Sequence, residues 1–223
     1  KTVCLPFPFL DENGIAGYTD GILDGTIPPE NERQYLQIIS NESRRLSRLV
    51  RRMLDVSQLQ AIDPLREGKH FDICESMRRV LISMEKKITD RHLDVDADIP
   101  EEPILVRGDN DMITQVIYNL LENATKFARE GTTLYLGVTT IDGKARVTVR
   151  NLGDTIPAEE LPLLFERFHK SDKSRSEDKT GVGLGLYIVK TILEQHKEKI
   201  NVTSENGVTT FSFSLTIKKP SAE

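Results

Sequence analysis

Two asparagines and a lysine recur at helical spacing near the middle of the chain. Asn119, Asn123 and Lys126 are four and three residues apart, which places two amides and an ammonium along one side of a helix. An amide oxygen can ligate Mg²⁺, and a lysine ammonium can approach phosphate oxygens as a flexible point charge. Taken alone, these residues are more typical of the solvated flank of an amphipathic helix.

A glycine run farther along the chain favours the phosphate interpretation. Gly181, Gly183 and Gly185 alternate with aliphatic residues, and the amphipathic segment YIVKTILEQH follows. Glycines at the start of a helix let backbone N–H groups approach an anion, and the helix dipole favours negative charge there. The run is not a Rossmann fingerprint, because Leu186 stands where a third glycine is needed, and the chain has no Gly-Lys-Ser/Thr triplet of a P-loop.

The polar row needs a helix with a buried face beside it. Apolar residues recur at helical intervals in this stretch, so we predict a helix that starts near Asp109. The residues predicted to form its buried face are Met112, Ile113, Val116, Ile117, Leu120, Leu121, Ala124 and Phe127.

Composition and charge exclude several classes of protein. The 223 residues are 38% hydrophobic and 29% charged, which is typical of a globular chain with a substantial core. The net charge of −5 argues against nucleic-acid binding by a general basic surface. Cys4 and Cys74 lack metal-ligand spacing with the four histidines, so we expect free thiols. No apolar run approaches the roughly 20 residues of a membrane-spanning helix.

Two helical segments are predicted in the first third of the chain. IAGYTDGIL is compatible with a helix from Ile15, and a long charged helix is predicted from Glu30 to Gln60. Apolar residues recur in this helix at intervals of seven, a pattern typical of a bundle or a coiled coil. The two series are Ile39, Leu46 and Met53, and Tyr35, Leu49 and Val56, with Glu42 in the place that the second series leaves open.

The rest of the chain alternates between strand and helix patterns. HFDIC is predicted to be a strand, ESMRRVLISMEKKITDRH a helix and LDVDADIP an edge strand. Asp142-Gly143 and Asn206-Gly207 each lie between two strand patterns, which predicts two hairpins. This order favours an α+β chain containing a mixed α/β sandwich, and it does not favour a barrel.

Four ordered segments resemble the ATP-binding catalytic domain of sensor histidine kinases. The family's asparagine, first glycine, phenylalanine and second glycine boxes are similar, in order and spacing, to QVIYNLLENATKF, RVTVRNLGDTIPAEELP, LFERFHK and TGVGLGLYIVK. The resemblance covers residues 68–219. It implies an α/β sandwich in which helices cover one face of a mixed sheet and ATP lies under a mobile lid.

The resemblance also implies a set of ATP-binding residues. Asn119, Asn123 and Lys126 would serve Mg²⁺ and the phosphates, with Asn123 as the Mg²⁺ ligand, and Asn151 and Gly153 would serve adenine. Phe165 and Phe168, three apart on a short helix, would pack in the hinge of the lid. The full set is Asn119, Asn123, Lys126, Asn151, Gly153, Ile156, Phe165, Phe168, Lys170, Thr180, Gly181, Val182, Gly183, Leu184 and Gly185.

The first glycine box departs from the family pattern at two positions. Asn151 stands where the family usually has an aspartate that accepts a hydrogen bond from the adenine amino group, and Thr155 replaces the second glycine. An amide oxygen still accepts from an exocyclic amine, but a neutral acceptor forms a weaker bond than a carboxylate. We therefore expect modest nucleotide affinity.

Residues 15–62 resemble part of the family's dimerisation and histidine-phosphotransfer hairpin. The phosphoacceptor histidine is expected nine residues before Ile15, where this chain has Pro6. Its four histidines, His70, His92, His169 and His196, lie outside such a motif. Because phosphoryl transfer to imidazole needs a placed ring and an acidic neighbour, we predict no autophosphorylation at the usual site and interpret residues 1–14 as an atypical or foreign segment.

The resemblance implies an ATP- and Mg²⁺-dependent histidine kinase core of a two-component sensor. It would form a homodimer through the helical hairpin, act on a receiver domain of a response regulator, and bind no nucleic acid. It would be the cytoplasmic portion of a bacterial sensor anchored in the membrane by segments absent from this chain. One alternative is a non-catalytic ATP-binding dimeric regulator. Another is a gyrase- or Hsp90-type ATPase, which is disfavoured because Asn119 aligns with the glutamate that activates water in those enzymes.

Overall fold

The structure is a computed structural model that describes residues 14–59, 65, 70–169 and 183–218, and between 48 and 59 it describes only the side chain of Val50. The chain divides into two compact units, Lys1–Ser57 and Gln58–Glu223. Predictions for residues 1–13 and for the loop at 170–182 therefore lie outside the described residues.

The first unit contains the two predicted helices, α1 (Ile15–Leu23) and α2 (Pro29–Leu59). Proline at the first position of α2 is compatible with helix initiation, because its missing N–H needs no partner there. The backbone N–H of Ile27 donates to the carbonyl of Gly21 at 2.8 Å. This bond holds the loop between the two helices against α1. The rings of Tyr18 and Tyr35 pack with their centroids 5.1 Å apart. Both helices are confirmed within one residue of their predicted limits.

The hairpin leaves apolar side chains in contact with solvent. Across α1, which is described throughout, no residue is buried. On α2, Leu36 is 53% exposed and Val50 is 47% exposed. Of the heptad residues, Tyr35 and Ile39 are half-buried, and the side chains of Leu49, Met53 and Val56 lie outside the described set. Within its described residues, the hairpin therefore leaves part of its own apolar surface uncovered.

The second unit is built from seven strands, three α-helices and one 3₁₀ helix, counted over its described residues. In chain order these are β1 (His70–Asp72), α3 (Ile73–Thr89), β2 (Asp94–Asp98), β3 (Leu105–Arg107), α4 (Asn110–Phe127), β4 (Thr133–Ile141), β5 (Lys144–Leu152), the 3₁₀ helix (Leu161–Phe165), α5 (Gly185–Gln195), β6 (Asn201–Glu205) and β7 (Val208–Thr216).

Five strands form one mixed sheet in the order β2-β4-β5-β7-β6, in which β2 runs parallel to β4 and the other pairs are antiparallel. β1 and β3 form a separate antiparallel pair. Asp142 and Gly143, like Asn206 and Gly207, have φ between 50° and 79°, the signature of two-residue type I′ turns. Both predicted hairpins are confirmed.

Burial alternates along the three central strands, so one face of the sheet is covered and the other is open. The covered face carries Leu134 and Leu136 of β4, Val147 and Val149 of β5, and Phe211 and Phe213 of β7. α4 contacts β4, β5, α3 and α5, and is the central helix of the layer that covers this face. The predicted fold class, a helical hairpin followed by an α/β sandwich, is confirmed.

Three details of the prediction are wrong. HFDIC is a strand only as far as Asp72, because the Asp72 carboxylate accepts from the N–H of Cys74 at 3.0 Å and starts α3 at Ile73. α3 ends at Thr89, three residues before the predicted limit. On α4, Phe127 is half-buried, and the buried face ends with Thr125, whose hydroxyl donates to the Leu121 carbonyl at 2.8 Å.

Candidate nucleotide-binding site

The polar row lies along α4 at the margin between core and surface. Asp109 caps the helix, with its carboxylate accepting from the N–H groups of Asp111 and Met112 at 3.1 and 3.2 Å. Asn119, Asn123 and Lys126 are all half-buried. The neighbouring apolar residues of α4 are fully covered, so the row borders the core on one side and is open on the other.

One amide of this row is buried and unsatisfied. Within the described part of the chain, Asn119 Nδ2 has no hydrogen-bond partner. The Asn119 Oδ1 atom faces the first residue of α5, at 3.9 Å from the position that a Cβ would take at Gly185. A buried donor without a partner costs about 1–3 kcal/mol, so such groups in native proteins usually mark a place where something else binds.

Gly153 lies where β5 approaches the end of α4. A Cβ at this position would collide with the carbonyl oxygen of Phe127, so the close approach requires glycine. The N–H of Arg129 donates to the Leu152 carbonyl at 2.7 Å and holds the two segments together. Asn151, two residues earlier, is only 4% exposed. The predicted adenine residues thus lie against the carboxyl end of the helix that carries the polar row.

The loop that follows Gly153 is held against the β6–β7 hairpin. The N–H of Gly153 donates to the Gly207 carbonyl at 2.7 Å, and the N–H of Gly207 donates to Thr155 Oγ1 at 2.8 Å. The N–H of Ile156 donates to Ser204 Oγ at 2.9 Å. Thr155, which departs from the family's glycine, therefore uses its hydroxyl to hold this loop.

The two phenylalanines of the predicted hinge are separated in the structure. Phe165 ends the 3₁₀ helix, is buried, and packs edge-on against Phe211 with ring centroids 6.4 Å apart. Phe168 lies beyond the helix with φ of 61°, and its N–H donates to the Gly183 carbonyl at 3.1 Å. The prediction that both lie on one short helix is wrong, because the helix stops at Phe165.

Side chains also attach this segment to the start of α5. Lys190 Nζ lies 3.7 Å from Glu166 Oε1. Arg167 donates to the Tyr187 hydroxyl at 2.5 Å and places its guanidinium over the same ring at 4.6 Å from the centroid. Together with the Phe168–Gly183 bond, these contacts fix the residues that precede the 170–182 loop.

Two parts of the predicted site contact α4 in the structure: the start of α5, at Gly185, and the end of β5, at Gly153. Asn119 faces Gly185, and Gly153 faces the end of the helix; Leu184, the residue before α5, is buried. The other second-glycine-box and lid residues, Lys170, Thr180, Gly181 and Val182, lie outside the described residues. The ATP-binding set as a whole stays a prediction.

Sequence reasoning missed two groups of polar residues around the site. Ser204 and Thr209 are buried, and their hydroxyl oxygens lie 2.9 Å apart. A signal for them existed, because a two-residue turn at Asn206-Gly207 places Ser204 opposite Thr209. The other is His196, whose Nδ1 lies 2.7 Å from the Ile192 carbonyl oxygen. Its Nε2 atom accepts from the N–H of Asp109, the cap of α4, and no sequence pattern predicts this contact.

The polar row offers amide oxygens as the possible ligands of a cation. Over the described residues there is no group of three or more His, Cys, Asp or Glu side chains that could hold a metal ion. The predicted Mg²⁺ ligand, the amide oxygen of Asn123, is a donor of the kind that suits this hard cation. Among the described helices, none is both long and apolar enough to span a membrane.

Two family models match the chain. The model described as histidine kinase-, DNA gyrase B- and HSP90-like ATPase matches residues 108–220, about half of the chain. The model described as His Kinase A (phospho-acceptor) domain matches residues 13–62. The chain belongs to the sensor histidine kinases. The second match separates this chain from the gyrase and Hsp90 branches, which the first model also includes.

Relatives and solved structures agree with the family. The chain is 31% identical over 208 residues to sensor protein SrrB of Staphylococcus aureus (strain MRSA252), covering 92% of this chain and 35% of SrrB. It thus spans about a third of the length of that relative. Histidine kinase ThkA, solved in complex with response regulator protein TrrA, is 26% identical with a TM-score of 0.66, covering 95% of this chain and 59% of that one. Histidine kinase AdeS of Acinetobacter baumannii shares the fold, with 22% identity, a TM-score of 0.67, and coverage of 92% and 94%.

Proposed function

We propose that this chain is the ATP-dependent catalytic core of a protein-histidine kinase in a two-component sensor. The observation that carries the proposal is Asn119, whose buried Nδ2 atom has no partner among the described residues and whose Oδ1 atom faces the start of α5, in one row with Asn123 and Lys126. In a protein with this fold, a polar row bordering a glycine-initiated helix is suited to a nucleotide phosphate chain. Family membership supports ATP as the nucleotide.

Each site residue has a separate task in this proposal. Asn123 supplies its amide oxygen to Mg²⁺, and the Asn119 Nδ2 donor and the Lys126 ammonium meet phosphate oxygens. Asn151 accepts from the exocyclic amine of adenine, and Gly153, where the chain leaves β5, borders the base. Bound Mg-ATP supplies the phosphoryl group, and the protein contributes positioning and charge stabilisation with little covalent chemistry.

The acceptor side of the reaction is incomplete in this chain. Residues 13–62, which match the phospho-acceptor model, contain no histidine, and Pro6 stands at the expected acceptor position. We therefore propose that the chain does not autophosphorylate at the usual site. Incubation with γ-labelled ATP is expected to give no acid-labile phosphate on the protein, and acid-labile label would contradict this proposal.

We further infer the limits of the two domains and the partner that each one binds. Residues 15–62 form the dimerisation hairpin and 68–219 the catalytic domain, with 1–14 atypical. The exposed Leu36 and Val50 support a second copy of the chain as the partner of the hairpin. ThkA was solved with a response regulator, which supports a receiver domain as the second partner. We further infer that the chain is the cytoplasmic portion of a membrane-anchored sensor.

Calorimetric titration with ATP tests the nucleotide site. We expect saturable binding that requires Mg²⁺ and weakens at least 10-fold in Asn123→Ala, since a charge-assisted contact contributes about 1.5–3 kcal/mol. Glu122→Gln is the matched control, because Glu122 directly precedes Asn123 on α4 but pairs with Lys87 of α3 at 2.5 Å. Absence of binding at millimolar ATP would contradict the proposal, as would an ATP affinity of Asn123→Ala equal to that of the wild type.

A non-catalytic ATP-binding dimer is the second candidate, favoured by the absence of histidine from residues 13–62. The two candidates differ in whether the catalytic domain can transfer phosphate at all. Restoring the acceptor motif around Pro6→His and incubating with γ-labelled ATP separates them. Label on the restored chain supports the kinase, whereas ATP binding without label supports the regulator.

A further inference from the structure

A cluster of three hydroxyl residues joins the loop after β5 to the β6–β7 hairpin. The hydroxyl cluster consists of Thr155 on the loop, Ser204 on β6 and Thr209 on β7. Ser204 Oγ accepts from the N–H of Ile156 at 2.9 Å and lies 2.9 Å from Thr209 Oγ1. Thr155 Oγ1 accepts from the N–H of Gly207 at 2.8 Å. The loop and the hairpin are thus joined by two hydrogen bonds in which a hydroxyl of one segment accepts from a backbone N–H of the other.

Two of the three residues in the hydroxyl cluster, Ser204 and Thr209, are buried. Ser204 is 8% exposed and Thr209 is 4% exposed, although Thr203 and Glu205 on either side of Ser204 are exposed. A hydrogen bond at a buried site is expensive to leave unmade, because water cannot replace the lost partner. β6 is an edge strand, yet Ser204 points its hydroxyl toward the covered side, where the loop runs.

The loop itself has no regular secondary structure to hold it. Residues 153–157 lie in neither helix nor strand, so each backbone group depends on partners supplied by other segments. The hydroxyl cluster supplies the partner of Ile156, and the turn of the hairpin supplies the partner of Gly153. Without these bonds the loop would recover much of the conformational freedom that ordering removes.

We propose that the hydroxyl cluster positions the loop from Gly153 to Ile156 against the purine base and thereby sets the preference for adenine. This inference rests on the proposed function, which assigns Asn151, Gly153 and Ile156 to the base. Ser204 and Thr155 act through the loop backbone, so they are positioning residues. Thr155 restores through its hydroxyl a fixed loop conformation at a position where the family usually has glycine.

The test compares Ser204→Ala and Thr155→Gly with Thr203→Ala, an exposed neighbour on the same strand that lies outside the cluster. Affinities for ATP, ADP and GTP are measured by calorimetry in the presence of Mg²⁺. We expect Ser204→Ala to weaken ATP and ADP equally, by about 5- to 10-fold, the loss typical of one neutral hydrogen bond. The affinity for GTP is expected to stay the same, so that the ATP-to-GTP preference falls by that factor. Thr155→Gly is expected to change the preference in the same direction, and Thr203→Ala to leave it unchanged.

Amide hydrogen exchange by NMR gives a readout that needs no nucleotide. We expect the Ile156 amide to exchange faster in Ser204→Ala than in the wild type, with no change in Thr203→Ala. Faster exchange with an unchanged ATP-to-GTP preference in both cluster variants would show a purely structural role and overturn this inference alone. A wild-type protein that binds neither ATP nor ADP would overturn the proposed function as well. Thr155 is exposed, so Thr155→Gly keeps the test decisive if Ser204→Ala does not fold.

Discussion

His196 joins the end of α5 to the start of α4: its Nε2 atom accepts a hydrogen bond from the N–H of Asp109 at 3.1 Å. The ring is 4% exposed, and its Nδ1 atom donates to the Ile192 carbonyl at 2.7 Å, which defines a neutral ring protonated at Nδ1. Asp109 in turn caps α4, so a residue outside the predicted site fixes the helix that carries the polar row.

Replacing this ring is expected to destabilise the fold. His196→Phe keeps much of the volume but leaves the Asp109 N–H without its acceptor, which is expected to lower the free energy of unfolding by about 1–3 kcal/mol. Urea denaturation followed by circular dichroism measures the change. His92→Asn is the control, because the His92 side chain is 75% exposed and its φ of 50° suits asparagine. Equal stability of His196→Phe and wild type would contradict the role given to this bond.

The unsatisfied amide of Asn119 predicts opposite effects on stability and binding. Asn119→Leu replaces the buried donor with an apolar side chain of similar size, so the nucleotide-free protein is expected to gain about 1 kcal/mol while losing ATP binding. Thermal unfolding and calorimetry measure the two effects. Asn110→Leu is the matched control, because the Asn110 Oδ1 atom accepts from Ser76 Oγ at 2.7 Å and its loss is expected to destabilise. A destabilised Asn119→Leu variant would show that the amide contributes to the fold.

The end of α5 carries a lysine where the backbone favours glycine. Lys197 has φ of 59°, and the N–H groups of Lys197 and Glu198 donate to the carbonyls of Glu194 and Leu193 at 2.9 and 2.8 Å, as in a Schellman motif. Lys197→Gly is therefore expected to raise the free energy of unfolding by about 1 kcal/mol, since a left-handed conformation costs an L-residue about 1–2 kcal/mol. Thermal denaturation tests this, with Lys199→Gly as a control at ordinary φ. No gain in Lys197→Gly relative to the control would count against the assigned backbone strain.

The Cys74 thiol is expected to be unreactive in the folded protein. Burial, reinforced by the nearby Asp72 carboxylate, raises the pKa of Cys74 above its ordinary value of 9.0. Because the unfolded chain releases this proton at lower pH than the folded chain, the free energy of unfolding should fall as pH rises through about 9. In a Cys4→Ser background, a thiol reagent should label Cys74 only after denaturant is added. The pH slope should shrink in Cys74→Ala, and rapid labelling of the folded protein would refute the burial argument.

The predictable parts of the fold are those decided by local chemistry. α4 follows from its apolar period and its Asp109 cap, and the two hairpins follow from Asp142-Gly143 and Asn206-Gly207, whose residues accept positive φ. HFDIC alternates like a strand throughout, but the Asp72 cap ends it early. Local pattern and local capping compete there, and the cap forms because its bond satisfies a helix N–H that would otherwise lack a partner.

The parts that sequence could not supply are contacts between distant segments. Phe168 has the spacing of a helical neighbour of Phe165, yet its N–H donates to the carbonyl of Gly183, which lies 15 residues later in the chain. His196 is 87 residues from Asp109. Ser204 was accessible in principle through hairpin register, but its bond to Ile156 depends on where the β5 loop returns.

Hydrogen bonds hold α5 to other segments at both of its ends. At its start, Phe168 is bonded to Gly183 and Arg167 to Tyr187; at its end, His196 is bonded to Asp109. Eleven helical residues span about 16 Å, and a helix of that length is stiff along its axis. The segment before the 170–182 loop is therefore connected to the first turn of α4, the helix that carries Asn119 and Asn123, through α5 and the bonds at its two ends.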